Sequence, residues 1–261
     1  MPKKLTPYQS AMQVSTAKQK NLWIFFALSL ALSIPIFLST PPDAAVKSLL
    51  ETYFVGSYIP VILAVIFLAI EKDKKESAAF WSRVGAVAVG WRWWLFAFLF
   101  PTAIWLISGV VFLIQGQAWP ASYAALAFFP IAFITNFGEE IGWRGFALPR
   151  LLQRYNAVTA SLILGAVWGA FHLALNLYRP LFAAVTFAFT LMISIVLTWL
   201  FLRTKSVILA AVLNAAFNTW TQVFLIGQDI EKQFMVPLAI AWLAVMYLIY
   251  RYGTSLSDGK K

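Results

Sequence analysis

Cysteine is absent from the 261 residues, histidine occurs once, and charged side chains make up 11% of the chain, against roughly 25% in an ordinary soluble domain. The missing cysteine excludes disulfides, thiolate metal sites and a cysteine nucleophile. One histidine excludes a His-Glu-x-x-His zinc helix, and no phosphate-binding P-loop occurs. The scarcity of charge excludes a water-soluble globular protein. Instead, 61% of the residues are hydrophobic, and apolar runs of about 17 to 22 residues recur from Leu22 onward, each long enough to cross a bilayer.

The net charge of +10 raises the question of nucleic acid. The bases lie in short segments between apolar runs, without a basic stripe interleaved with aromatics, so no nucleic-acid partner is expected. The lipid bilayer is the expected environment. The pattern predicts an all-α, polytopic transmembrane helical bundle of about eight spans, near 22–38, 53–70, 94–114, 121–148, 158–178, 182–202, 207–226 and 235–250. The first run lacks the small-residue cleavage pattern of a removed signal and reads as an uncleaved span. Residues 1–21 form an expected cytoplasmic N-terminal segment, 22–251 a single membrane domain, and 252–261 a cytoplasmic tail.

Placing the N-terminus in the cytoplasm leaves only Lys47, Arg179 and Lys232, of twenty basic residues, on the far side. By the positive-inside rule both termini are cytoplasmic, and in a prokaryote the membrane would be the plasma membrane. Trp81, Trp91, Trp93, Trp94, Trp119 and Tyr123 fall near span ends and read as interface anchors. The charged stretch Glu71 to Glu76 reads as a solvated cytoplasmic loop whose mixed charges need no partner.

Of the ten acidic residues, only Glu139 and Glu140 lie inside an apolar segment. A charge there costs roughly 2.5 to 3.5 kcal/mol even on a lenient insertion scale, so the pair marks a functional site. Arg144, four residues after Glu140, can pair with it on one helical face. That leaves Glu139 without a partner in its own helix and suited to take a proton from water. As a structural alternative, the pair is a neutralised packing element.

His172 also lies in a span, where a lone histidine is by default a hydrogen-bonded core residue. Residues 139 and 172 are symmetrically placed about the polar turn Tyr155-Asn156, each about 25 Å from it in an antiparallel hairpin. They should therefore meet at similar depth, with Pro149 a possible kink. Asn214 and Asn218 share one face of span seven, with Asn136 and Asn176 as neighbouring donors.

No aspartate lies in a span, which excludes a conventional Ser-His-Asp set and a two-aspartate intramembrane mechanism. What remains is a carboxylate base, an imidazole and amide donors, a set suited to amide hydrolysis. A single divalent metal, zinc, would have Glu139 and His172 as ligands, with amide oxygens completing the site. A proton-coupled carrier also uses intramembrane carboxylates, although neither internal repeats nor paired broken helices are evident.

Glu139-Glu140-x-x-x-Arg144, Trp168-x-x-x-His172 and Asn214-x-x-x-Asn218 occur in that order, each in an apolar segment. Over about Ala124 to Phe224 the chain resembles the intramembrane CAAX-prenyl-protease and bacteriocin-processing family, also called CPBP or Abi. The resemblance implies an eight-helix membrane metalloendopeptidase acting on a peptide or membrane-protein substrate, with a cavity open toward the cytosol. Glu139 would activate water, Glu140 and Arg144 would support it, His172 would polarise the site, and Asn218 would help hold the oxyanion. Asn214 stands where the family usually has histidine, and an amide cannot act as a base near neutral pH. The resemblance thus leaves open a protease or a catalytically impaired relative that binds peptides or confers bacteriocin self-immunity.

Overall fold

In a computed structural model, described for residues 7–39, 46–116, 123–174, 177, 179–224 and 230–257, the long apolar runs are helical and no strand occurs among the described residues. Of residues 7–15, 46–51 and 230–232 the backbone alone is described. The physical reason for the helices is that each unpaired backbone polar group in hydrocarbon costs several kcal/mol, so an apolar segment must satisfy its backbone internally.

The order is α1 (Pro7–Leu38), α2 (Val46–Glu71), α3 (Lys74–Val84), α4 (Trp91–Ile114), a 3-10 segment (Tyr123–Phe128), α5 (Phe129–Glu140), a π-helical turn (Ile141–Ala147), α6 (Leu148–Leu151), α7 (Ala157–Leu173), α8 (Pro180–Thr204), α9 (Val207–Phe224) and α10 (Ile230–Tyr252). Among the described residues, seven stretches are long and apolar enough to cross a membrane, the fourth running from Tyr123 through Leu151. The expected fifth span, 158–178, departs from this. Its helix α7 stops at Leu173 after 17 residues, about 25 Å, somewhat short of a hydrocarbon core of about 30 Å.

The helix α9 lies against α4, α5 and α8, and its residues from Leu209 to Phe217 are buried. The α7–α8 hairpin packs closely because Gly165 has no side chain: a Cβ there would stand 2.9 Å from Ser194 Cβ. Across α2 and the fourth span, Gly142 lies directly on Pro60. These contacts hold α2 and α7 on either side of the acidic pair.

Two local expectations are corrected. The stretch from Glu71 is not a partnerless loop: Asp73 caps α3 by accepting from Glu76 N at 3.0 Å and pairs with Lys18 at 2.6 Å. Glu71 pairs with the buried Arg150 at 2.8 Å, and Glu76 with Arg83 at 2.8 Å. These charges sit where four helices converge, so partners from α1, α3 and α6 neutralise them. Arg144, one of the basic residues counted from sequence on the cytoplasmic side, is wholly buried in the π-helical turn.

The irregularity anticipated at Pro149 lies just upstream, in that turn, while Pro149 itself follows it directly in α6, its ring and missing N–H being unable to continue a regular ladder into the preceding turn. Trp81, Trp91 and Tyr123 are exposed, whereas Trp93 and Trp94 pack against the core. Trp119 lies outside the described residues.

Candidate active site

Glu139 and Glu140 end α5, and consecutive helical residues point about 100° apart, so the two carboxylates face different helices. Both are fully buried. Glu139 reaches toward α2 and α7. Its Oε1 accepts hydrogen bonds from Ser57 Oγ at 2.9 Å and Tyr53 Oη at 3.1 Å. Its Oε2 accepts from Trp168 Nε1 at 2.9 Å, and His172 Nε2 stands 3.7 Å from the same oxygen.

The predicted meeting of positions 139 and 172 is thus present in the structure. The turn that makes it lies at Asn156, whose side chain accepts from Thr159 N at 2.9 Å and starts α7. Trp168 and His172, one helical turn apart on α7, then project toward α5 together. Their rings meet edge to face at 5.5 Å, and Tyr53 stacks on His172 at 6.3 Å with 19° between planes. The His172 side chain is 21% exposed, so the imidazole is partly open beside carboxylates that are closed off.

Glu140 turns the other way. Its Oε1 receives Arg144 Nη1 at 2.9 Å, the i,i+4 pair expected from sequence, and Asn214 Nδ2 of α9 at 3.0 Å. Arg144 extends further, with Nη2 on Ser194 Oγ at 3.4 Å and its guanidinium carbon 4.7 Å from the Trp168 ring centre. That cation–π contact joins the Glu140 cluster to the indole that binds Glu139.

The asparagines divide as well. Asn218, one turn beyond Asn214, donates to Asn136 Oδ1 at 3.1 Å, and Asn136 in turn donates to Ala132 O at 2.6 Å. Asn176 lies outside the described residues. The six candidates therefore form two linked sets, Glu139 with His172 and Glu140 with Arg144 and Asn214, and the hydrogen bond of Asn218 goes to a neighbour of both.

Sequence reasoning missed Tyr53 and Ser57. The signal was present, since they are polar residues at i,i+4 within an otherwise apolar span, the spacing that singled out the asparagines.

For a resident zinc, Glu139 and His172 are the available donors, and a zinc site ordinarily uses at least three protein ligands. Among the described residues no group of three His, Cys, Asp or Glu comes together. Both oxygens of Glu139 already accept protein hydrogen bonds, and Asn214 is directed at Glu140. This donor set does not fit a resident zinc ion.

A family model described as Type II CAAX prenyl endopeptidase Rce1-like matches residues 119–220. The CAAX prenyl protease 2 of Methanococcus maripaludis is 30% identical over 117 residues, which cover 39% of this chain and 43% of that protein. The chain thus spans less than half the length of this curated relative. The matched stretch, residues 119–220, carries Glu139, Glu140, Arg144, His172, Asn214 and Asn218, and it is this part of the chain that is similar to CAAX prenyl endopeptidases.

Proposed function

We propose that the protein is an intramembrane endopeptidase that hydrolyses a peptide bond with water activated by Glu139. The observation that carries this reading is the position of Glu139: fully buried, fixed by three donors from two other helices, and 3.7 Å from the partly exposed His172. An oriented carboxylate beside an imidazole at the edge of a water-poor site is the geometry general base catalysis requires.

In the reaction, the water oxygen bonds to the scissile carbonyl carbon while Glu139 takes the water proton. Oε2 carries a lone pair beyond the one used by Trp168. His172 polarises the water or the carbonyl. As the tetrahedral intermediate collapses, the C–N bond breaks and Glu139 returns the proton to the leaving amine. The second N–H of the Asn218 amide, beyond the one donated to Asn136, serves as a donor to the oxyanion. Glu140, Arg144 and Asn214 hold the end of α5 and orient Trp168, and no step needs a metal.

The substrate is a peptide or a membrane-protein segment. Both termini lie in the cytoplasm, and in a prokaryote the membrane is the plasma membrane, in keeping with the bias of basic residues. Comparing protein termini across membranes from cells expressing the parent or Glu139→Gln tests the activity. New termini dependent on Glu139 are expected, and identical sets at equal expression would overturn the reading.

One observation favours a second reading. With Asn214 directed at Glu140, no second imidazole serves Glu139, as suits a catalytically impaired relative that binds peptides or acts in bacteriocin self-immunity. Turnover that appears only in Asn214→His would support it.

A further inference from the structure

The basic end of the bundle and the reactive carboxylate lie toward opposite membrane faces. At one end, ion pairs connect Glu71, Arg150, Glu76 and Arg83, and the separate Lys18–Asp73 pair adjoins them through the hydrogen bond that Asp73 accepts from the Glu76 N–H. The α8–α9 turn joins this end through Ser206 Oγ on Ala86 O, bringing Arg203 and Lys205 with it. Arg251 flanks Tyr252, whose ring also carries Arg203.

Three helices measure the distance from this end to the site. On α1, Phe37 follows Lys18 by 19 residues, about 28 Å at 1.5 Å per residue, and it packs on Tyr53 at 6.1 Å and Phe171 at 4.9 Å. On α2, Tyr53 precedes Glu71 by 18 residues, about 27 Å by the same rise. On α7, His172 follows the Asn156 cap by 16 residues, about 24 Å, and is the penultimate residue of the helix. The groups around Glu139 therefore occupy the far halves of α1, α2 and α7, beside the ends at Ser39 and Leu173.

We infer that the substrate reaches Glu139 from the face opposite the basic end. With that end cytoplasmic by the positive-inside rule, the substrate is a peptide segment of an exported or membrane protein exposed outside the cytosol. This is the reverse of the cytosol-open cavity implied by the family resemblance. The inference rests on Glu139 being the base, and its topological part is independent of turnover.

The chain contains no cysteine, so single-cysteine variants report position without background. Ser39, Leu177, Ser82 and Gln153 are exposed; the first two lie at the site end, the others at the basic end. In intact cells, a membrane-impermeant maleimide should label Ser39→Cys and Leu177→Cys directly, and Ser82→Cys and Gln153→Cys only after permeabilisation. The reverse pattern overturns the inference whether or not the protein cleaves anything. Glu139-dependent termini confined to cytosolic segments would also overturn it. Their complete absence would count against the protease reading, while the labelling still decides the topology.

Discussion

Asn214 donates from Nδ2 to Oε1 of Glu140 at 3.0 Å, the same oxygen that Arg144 Nη1 meets at 2.9 Å. The amide is thus a support for the ion pair of α5 and the π-helical turn. A buried carboxylate sharing an oxygen between an amide and a guanidinium is held more rigidly than either partner alone would hold it. Asn214→Ala should destabilise the fold by roughly 1.5 to 3 kcal/mol, the range for a hydrogen bond to a charged group, measured by thermal unfolding in detergent. Asn214→His should not raise turnover, because the new imidazole faces Glu140.

Tyr53 and Ser57 fix Oε1 of Glu139 from α2. Removing either hydroxyl loosens the base without touching the peptide. In Tyr53→Phe and Ser57→Ala, kcat should fall about tenfold or more, with KM little changed. Steady-state kinetics on the substrate identified by the comparison of termini would check this, and an unchanged kcat in both variants would remove α2 from the site.

Arg150 is buried, pairs with Glu71 at 2.8 Å, lies 3.5 Å over the Phe146 ring, and offers its own carbonyl to Gln19 Nε2 at 3.1 Å. Arg150→Ala leaves Glu71 nearly buried without its counter-charge, at a cost of roughly 3 to 5 kcal/mol. Replacing Glu71 and Arg150 together with methionine should recover most of the loss. Unfolding temperatures of the two variants distinguish a charge effect from loss of packing.

Lys18 beside Asp73, together with the Glu76 amide, holds the Asp73 carboxyl at about 2, below its ordinary value of 3.8. Because the folded-state value is depressed, the contribution to stability is fully present above the ordinary carboxylate range and disappears as pH falls through about 2. The Asp73 side chain is 33% exposed, so solvent screens the pair and the effect is small. The difference in unfolding temperature between the parent and Asp73→Asn should shrink steadily from pH 6 to pH 2. A difference that does not change over this range would assign the contact to α3 capping alone.

Composition and periodicity made the all-helical membrane bundle legible, because a bilayer leaves the backbone of an apolar run few ways to satisfy its own hydrogen bonds. The Glu140–Arg144 pair was legible for a similar reason, since i,i+4 neighbours meet on any helix. The proximity of Glu139 to His172 followed from equal counting along two arms of a hairpin. All of these depend on local geometry, which the chain carries in its order of residues.

Tertiary packing decided which carboxylate each polar side chain serves. Tyr53 and Ser57 precede Glu139 by 86 and 82 residues, and Asn214 follows Glu140 by 74. No periodicity links such positions. The rotation of α5 about its axis directs one glutamate to α2 and α7 and the next to α9, and that rotation is set by close contacts such as Gly142 on Pro60 and Gly165 on Ser194. The short α7 and the buried network around Arg150 likewise depend on neighbours distant in sequence, because a charge becomes tolerable inside the bundle only when another helix brings its partner.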